Sequence, residues 1–232
     1  MKKIIGILGG MGPSVSAEIY KQIIKTAQKK YHAKQDTDFP PMFIYSLPLA
    51  GFNETGFTNS KQVKNQLISG VKKLETAGSD FIIITCNTVH YFLKDMRAAI
   101  NIPIISIIEE TVKKVKSTKQ KYVGVISSQS TNQLKLYEKT LSKNNIKTIS
   151  PNTEMQKKIN KIILKIMSGQ AGLKEKKVLI KIIEYLQNLG AQSIVLGCTE
   201  LPLLINQKDI KITLFNSNEI LIQSALKNSL GK

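Results

Sequence analysis

An α/β fold built from two similar halves is what this sequence predicts, and three observations predict it. Continuous apolar runs of strand length alternate with longer segments of helical period. The alternation restarts near residue 120. Residues 74–88, LETAGSDFIIITCNT, recur without gaps at 186–200, LQNLGAQSIVLGCTE. Strands that are apolar throughout, separated by helices, belong to parallel sheets covered on both faces.

The elements follow in order. IIGIL (4–8) is a buried strand, and the segment 14–31 after it is a helix, with Ile19, Ile23, Ile24 and Ala27 at helical spacing. FIYSLP (43–48) is a strand, and 59–78 a helix stopped by Gly78. FIIIT (81–85), a helix over 89–100, IPIISI (102–107) and a helix over 109–118 complete the first half. YVGVIS (122–127) opens the second. Helices follow near 130–143, 155–167 and 174–189, then SIVLG (193–197) and a last strand and helix over 212–230.

The repeat has a fixed offset of 112: Leu74 matches Leu186, Gly78 matches Gly190, Ile82 and Ile83 match Ile194 and Val195, and Cys86 matches Cys198. The opening strands resemble each other at an offset of 118, so an insertion separates the two matches. The expected organisation is a first α/β domain at 1–116, joined by the C-terminal helix at 217–232, and a second at 117–216.

Composition bounds the function classes. With 42% hydrophobic and 22% charged residues, the 232-residue chain is ordinary for a soluble protein. The apolar run after Lys2 and Lys3 breaks at Gly9-Gly10, too short for a secretory leader. No run approaches a membrane span. Two cysteines make no disulfide framework, so a reducing, cytoplasmic setting is expected, with no membrane partner. The formal charge is +18, yet Arg97 is the only arginine and the lysines are scattered without aromatic interleaving. Base readout favours the arginine fork, so solvated lysines, not nucleic-acid binding, account for the charge.

Both cysteines stand at the carboxyl end of an apolar strand, just before a helix, where open α/β sheets bind ligands. A helix N-terminus favours thiolate over thiol. Two thiols at matched places suit a symmetric reaction. Racemisation removes a proton from one face of a carbon and returns one to the other, so acid and base are of the same kind. The weakly acidic α-carbon then needs preorganised donors for the developing negative charge. These are available in GGMGPS (9–14), with Met11 and Gly12, and in SSQST (127–131), with Ser128 and Thr131. Asn87 and Thr88 beside Cys86, and Thr199 and Glu200 beside Cys198, also cap their turns. His90 is one helical turn beyond Cys86, placed either to tune the thiol or as a surface histidine.

Several other chemistries fit less well. A single cysteine is usually a small core residue, but a matched pair followed by polar residues is not the usual core pattern. GGMGP has neither dinucleotide nor P-loop spacing. Two cysteines with His32 and His90 form no metal-ligand spacing, so no metal is expected. Cysteine–histidine hydrolysis would leave the second cysteine without a role.

GGMGP, CNTVH and LGCTELP, in this order and spacing, resemble the PLP-independent aspartate/glutamate racemase family, and within it the aspartate racemase branch. The resemblance covers nearly the whole chain. It implies two pseudo-symmetric α/β domains with the active site in the cleft between them, no cofactor, and often a homodimer. It places the racemising acid–base pair on Cys86 and Cys198, and substrate contacts on Asn87, Thr88 and Thr199. Alternatives on the same scaffold are a related isomerase or decarboxylase, or a non-catalytic anion-binding protein. The aspartate-specific enzymes resemble one another in an arginine after the second strand, for the side-chain carboxylate. Here that loop, LPLAGFNETGF (47–57), has none. Lys165 and Lys174 are two candidates for a substrate lysine.

Overall fold

The structure is a computed structural model that describes residues 1–53 and 55–231. The chain forms two compact units. One comprises Met1–Phe52, Phe57–Glu110 and Asn218–Lys232; the other comprises Asn53–Gly56 and Thr111–Ser217. Lys232, the end of the expected C-terminal segment, and Glu54 lie outside the described residues.

The first unit holds a four-stranded sheet in the order β2-β1-β5-β6. Its strands are β1 (Ile5–Gly9), β2 (Met42–Ser46), β5 (Phe81–Ile84) and β6 (Ile104–Ile105). All neighbouring pairs are parallel. β3 (Phe52–Asn53) and β4 (Gly56–Phe57) make a separate short ribbon. The helices are α1 (Pro13–Tyr31), α2 (Ser60–Thr76), α3 (Leu93–Ala98), the start of α4 (Ile107–Lys116), which from Thr111 on belongs to the other unit, and α9 (Ser217–Leu230), which enters this unit at Asn218. The second unit repeats the sheet: β7 (Tyr122–Ile126), β8 (Lys147–Ile149), β9 (Ser193–Leu196) and β10 (Thr213–Asn216), in the order β10-β9-β7-β8 and again parallel. Its helices are α5 (Gln129–Gln133), α6 (Leu136–Ser142), α7 (Thr153–Met167) and α8 (Leu173–Asn188).

The repeat extends to the hydrogen-bond register. β1 pairs with β5 as Ile5 to Phe81 and Ile7 to Ile83. β7 pairs with β9 as Val123 to Ser193 and Val125 to Val195. The sequence offsets of 118 and 112 therefore reappear as the same pairing in each sheet. The turn before β5 and the turn before β9 also match, with Gly78 and Gly190 both at φ +96°.

The central strands are buried, whereas β2 at the edge of the first sheet has no buried position. β1, β5 and β9 are buried at every position. α2 packs Val63, Leu67, Val71 and Leu74 into the first core. Asn59 starts this helix by accepting from the Gln62 amide at 3.0 Å. In the second unit Ile159, Ile162 and Ile163 of α7 meet Leu179, Ile182 and Ile183 of α8 over β9. Burying one such isoleucine contributes on the order of 2 kcal/mol.

Two expectations need correction, and one strand, β8, has no counterpart among them. Residues 89–100 are not one helix: a 3-10 helix, Thr88–Phe92, precedes a short α3. The expected helix near 130–143 is two, α5 and α6, divided at Lys135, which is left-handed at φ 54°. β8 has only three residues, with no apolar run to mark it. Among the described residues, no helix is long and apolar enough to cross a membrane.

Candidate active site

In the first unit the strand-to-helix turns after β1 and β5 are neighbours, because these strands are adjacent and parallel. The turn after β1 needs its glycines. Gly10 has φ +94°, and a Cβ there would lie 2.4 Å from the carbonyl oxygen of Leu47. Ser16 of α1 holds the turn, since its Oγ accepts from the Gly10 amide at 2.9 Å. The same Oγ lies 3.1 Å from Thr85 Oγ1, tying this turn to the strand that delivers Cys86. Met11 and Gly12 are buried here, and Met11 shares a core cluster with Cys86.

Cys86 follows β5 by two residues, and Asn87 and Thr88 beside it are also buried. His90 is buried as well, and its Nδ1 lies 2.8 Å from the carbonyl oxygen of Cys86. A carbonyl only accepts, so Nδ1 carries the proton. Burial pushes the ring down to about 4, so it is neutral at neutral pH, despite opposing contributions from the Cys86 carbonyl and Glu109. His90 is therefore not a surface histidine, and it supplies no positive charge near neutrality. What it holds is the backbone of Cys86.

The second unit repeats the arrangement with hydroxyls. Ser128 caps α5, its Oγ accepting from the Thr131 amide at 3.3 Å and lying 3.1 Å from Thr131 Oγ1. Gln156 of α7 supports the turn from below: its Nε2 donates to Ser127 O at 3.0 Å and to Asn160 Oδ1 at 2.9 Å. Its Oε1 accepts from Asn132 Nδ2 at 3.0 Å.

Cys198 follows β9 by two residues, one past Gly197. A Cβ at Gly197 would lie 2.7 Å from the Tyr137 ring, so that ring lies directly on the turn. Glu200 is buried and its Oε2 accepts from two neighbours, Cys198 Sγ at 3.0 Å and Thr199 Oγ1 at 3.0 Å.

Helix N-termini were expected behind both cysteines. Instead 3-10 segments follow: Thr88–Phe92, which runs directly into α3, and the single turn Leu201–Leu203. Neither is capped by the side chain of Asn87 or Glu200 at its start. The single turn after Cys198 carries little dipole, so hydrogen bonds from neighbours weigh more in tuning that thiol. Cys86 is 6% and Cys198 7% exposed, whereas Thr85 and Leu196 just before them are 0% exposed. Both cysteines are buried, each within the apolar cluster of its own unit.

The predicted site residues fall on these four turns, two in each unit, or on the 3-10 helix after Cys86, except Thr131 on α5 and the candidate lysines Lys165 on α7 and Lys174 on α8. Ser16, Thr85, Tyr137 and Gln156 also shape the turns. Thr85 directly precedes Cys86 in the chain, whereas Ser16, Tyr137 and Gln156 lie on helices and are marked by no local motif. Arg97 is committed elsewhere. It pairs with both oxygens of Glu109, at 2.9 and 2.7 Å, and donates to Ile104 O at 2.8 Å. Lys165 pairs with Glu175 at 2.5 Å, and that bond, with the Gly172 amide, holds the Glu175 carboxyl down to about 2. Among the described residues no group of three His, Cys, Asp or Glu is arranged to hold a metal ion.

Comparison with known proteins agrees with this arrangement. The broad specificity amino-acid racemase RacX of Bacillus subtilis is 30% identical over 228 residues, covering 98% of this chain and 99% of that protein. The crystal structure of an aspartate racemase homologue from Pyrococcus horikoshii superimposes with a TM-score of 0.82 at 31% identity, covering 99% and 100% of the two chains. Picrophilus torridus aspartate racemase gives a TM-score of 0.84 at 26% identity, covering 98% and 94%. The family model described as Asp/Glu/Hydantoin racemase matches residues 8–225. With its doubled parallel sheet and a cysteine at the same place in each half, this chain belongs to the Asp/Glu/Hydantoin racemase family.

Proposed function

We propose that this protein racemises free amino acids without a cofactor, using Cys86 and Cys198 as a two-base pair. The observation that carries the reading is the equivalence of the two thiols. Each follows by two residues a central strand paired in the same register within its own sheet.

One sulfur, as thiolate, takes the α-proton and becomes a thiol. The other, as thiol, gives its proton to the opposite face and becomes a thiolate. One C–H bond breaks and one forms, and nothing is oxidised or reduced. The mechanism requires the two sulfurs to close on opposite faces of one α-carbon. The turn amides at Met11–Gly12, the hydroxyls of Ser128 and Thr131, and the side chains of Asn87, Thr88 and Thr199 serve the α-carboxylate and amino group in this reading. Such donors stabilise the developing enolate, which a thiol base cannot reach unaided.

The substrate range in this reading is broad and does not depend on a side-chain carboxylate. The loop 47–57 carries no arginine, Arg97 is bound to Glu109, and the Bacillus relative is named for broad specificity. The enzyme acts in the cytoplasm as a homodimer, which sedimentation of the purified protein checks.

The test is incubation with a panel of L-amino acids in D₂O. Solvent deuterium should enter the α-carbon as the D-isomer appears, and neutral side chains should turn over at least as well as aspartate. Cys86→Ser and Cys198→Ser should each abolish racemisation. Full racemisation surviving in either variant would remove the two-base reading.

A further inference from the structure

Two-base racemisation needs one sulfur protonated and the other not when substrate arrives. The two turns differ at one chemically decisive position. Two residues after Cys86 stands Thr88, which is neutral; two residues after Cys198 stands Glu200. The Glu200 carboxylate is buried, 6% exposed, and its Oε2 lies 3.0 Å from Cys198 Sγ. Thr199 Oγ1 donates to the same oxygen, at 3.0 Å, which fixes the carboxylate against the sulfur. Tyr137 is a further titratable group that interacts with Cys198. Burial pushes that phenol up, against the lowering effect of its hydrogen bonds with Thr111 and Ser217, so it brings no charge at neutral pH.

A thiol donates to a carboxylate at this distance, whereas a thiolate is repelled by it. With little water present the repulsion is poorly screened. We propose that Glu200 is a positioning residue that keeps the proton on Cys198, making Cys198 the acid and Cys86 the base of the free enzyme. This inference rests on the two-base reading above and deepens it. The free enzyme is then set to receive the enantiomer whose α-hydrogen meets Cys86. After turnover in that direction a thiolate faces Glu200, and the same repulsion favours its reprotonation.

The presence of only two cysteines makes the test direct. Cys86→Ser leaves Cys198 as the only thiol, and Cys198→Ser leaves Cys86. Thiolate absorbance near 240 nm is titrated in each, with the double variant subtracted to remove tyrosine. Cys86 should ionise at a pH lower than Cys198 by about one unit or more. Adding Glu200→Gln to Cys86→Ser should lower the Cys198 midpoint by about one unit or more, and Glu200→Asp should leave it between the two. Adding Glu200→Gln to Cys198→Ser should move Cys86 much less.

A Cys198 midpoint unmoved by Glu200→Gln overturns the proposal. So does a Cys198 that ionises at a lower pH than Cys86, a comparison that stands even if the glutamine variant fails to fold. The titration needs no turnover. An unmoved midpoint beside intact racemisation removes only the role of Glu200. A shifted midpoint in a protein that racemises no amino acid supports that role and removes the racemase reading.

Discussion

His90 donates its Nδ1–H to the carbonyl oxygen of Cys86, the residue four positions earlier, at 2.8 Å inside the protein. The histidine is held neutral there by burial, down to about 4. Between that value and the ordinary one near 6.5, the unfolded chain binds a proton that the folded chain does not. Folding stability therefore rises with pH through this window and falls on acidification. The loss amounts to about 3 kcal/mol when complete. His90→Asn keeps a donor near Nδ1 and removes the titration. Its urea midpoint should vary less between pH 6.5 and pH 4 than the parent's, while the rate–pH profile between 6 and 8 keeps its shape.

Gly78 and Gly190 test the duplication energetically. Both have φ +96°, and at neither would a Cβ meet any atom within 4 Å. Replacement by alanine costs only backbone strain, about 1–2 kcal/mol in each case. The two variants should lower the thermal midpoint of their own unit by similar amounts. Gly10→Ala should cost more, on the order of 3 kcal/mol, because strain is joined by a clash with the Leu47 carbonyl. Calorimetry of the three variants makes the comparison.

Gln156 bonds Ser127 O, Asn160 and Asn132 at once. Gln156→Leu is nearly isosteric and leaves these partners unanswered beneath the hydroxyl turn. A loss of about 2–3 kcal/mol is expected. Since Ser128 and Thr131 stand on that turn, KM should rise more than kcat falls, which steady-state kinetics on a turned-over amino acid will show.

Arg97 holds Glu109 and the Ile104 carbonyl on a half-exposed surface. Arg97→Gln should cost about 1 kcal/mol of stability or less, as exposed pairs do. KM for any amino acid should stay within about twofold of the parent, since no substrate contact is lost. A large KM increase confined to acidic amino acids would show instead that this arginine reaches the side chain.

The sequence alone determined the two-sheet α/β architecture and the equivalence of the cysteines. Apolar strands and Gly78 with Gly190 are local signals, and a gapless repeat carries its register with it, because pairing in one sheet is copied in the other. The same local information located all four turns. It did not reveal that the elements directly after the cysteines begin as 3-10 helix, since their apolar pattern fits either helix. It also left His90 open between a thiol-tuning and a surface role. Only the folded chain decided that His90 holds a carbonyl, that Arg97 is engaged by Glu109, and that Glu200 lies against Cys198. Hydrogen-bond partners depend on side-chain direction to a fraction of an ångström and on residues such as Tyr137 and Gln156 from distant elements. Periodicity fixes which face a residue occupies, whereas tertiary packing selects the atom it touches.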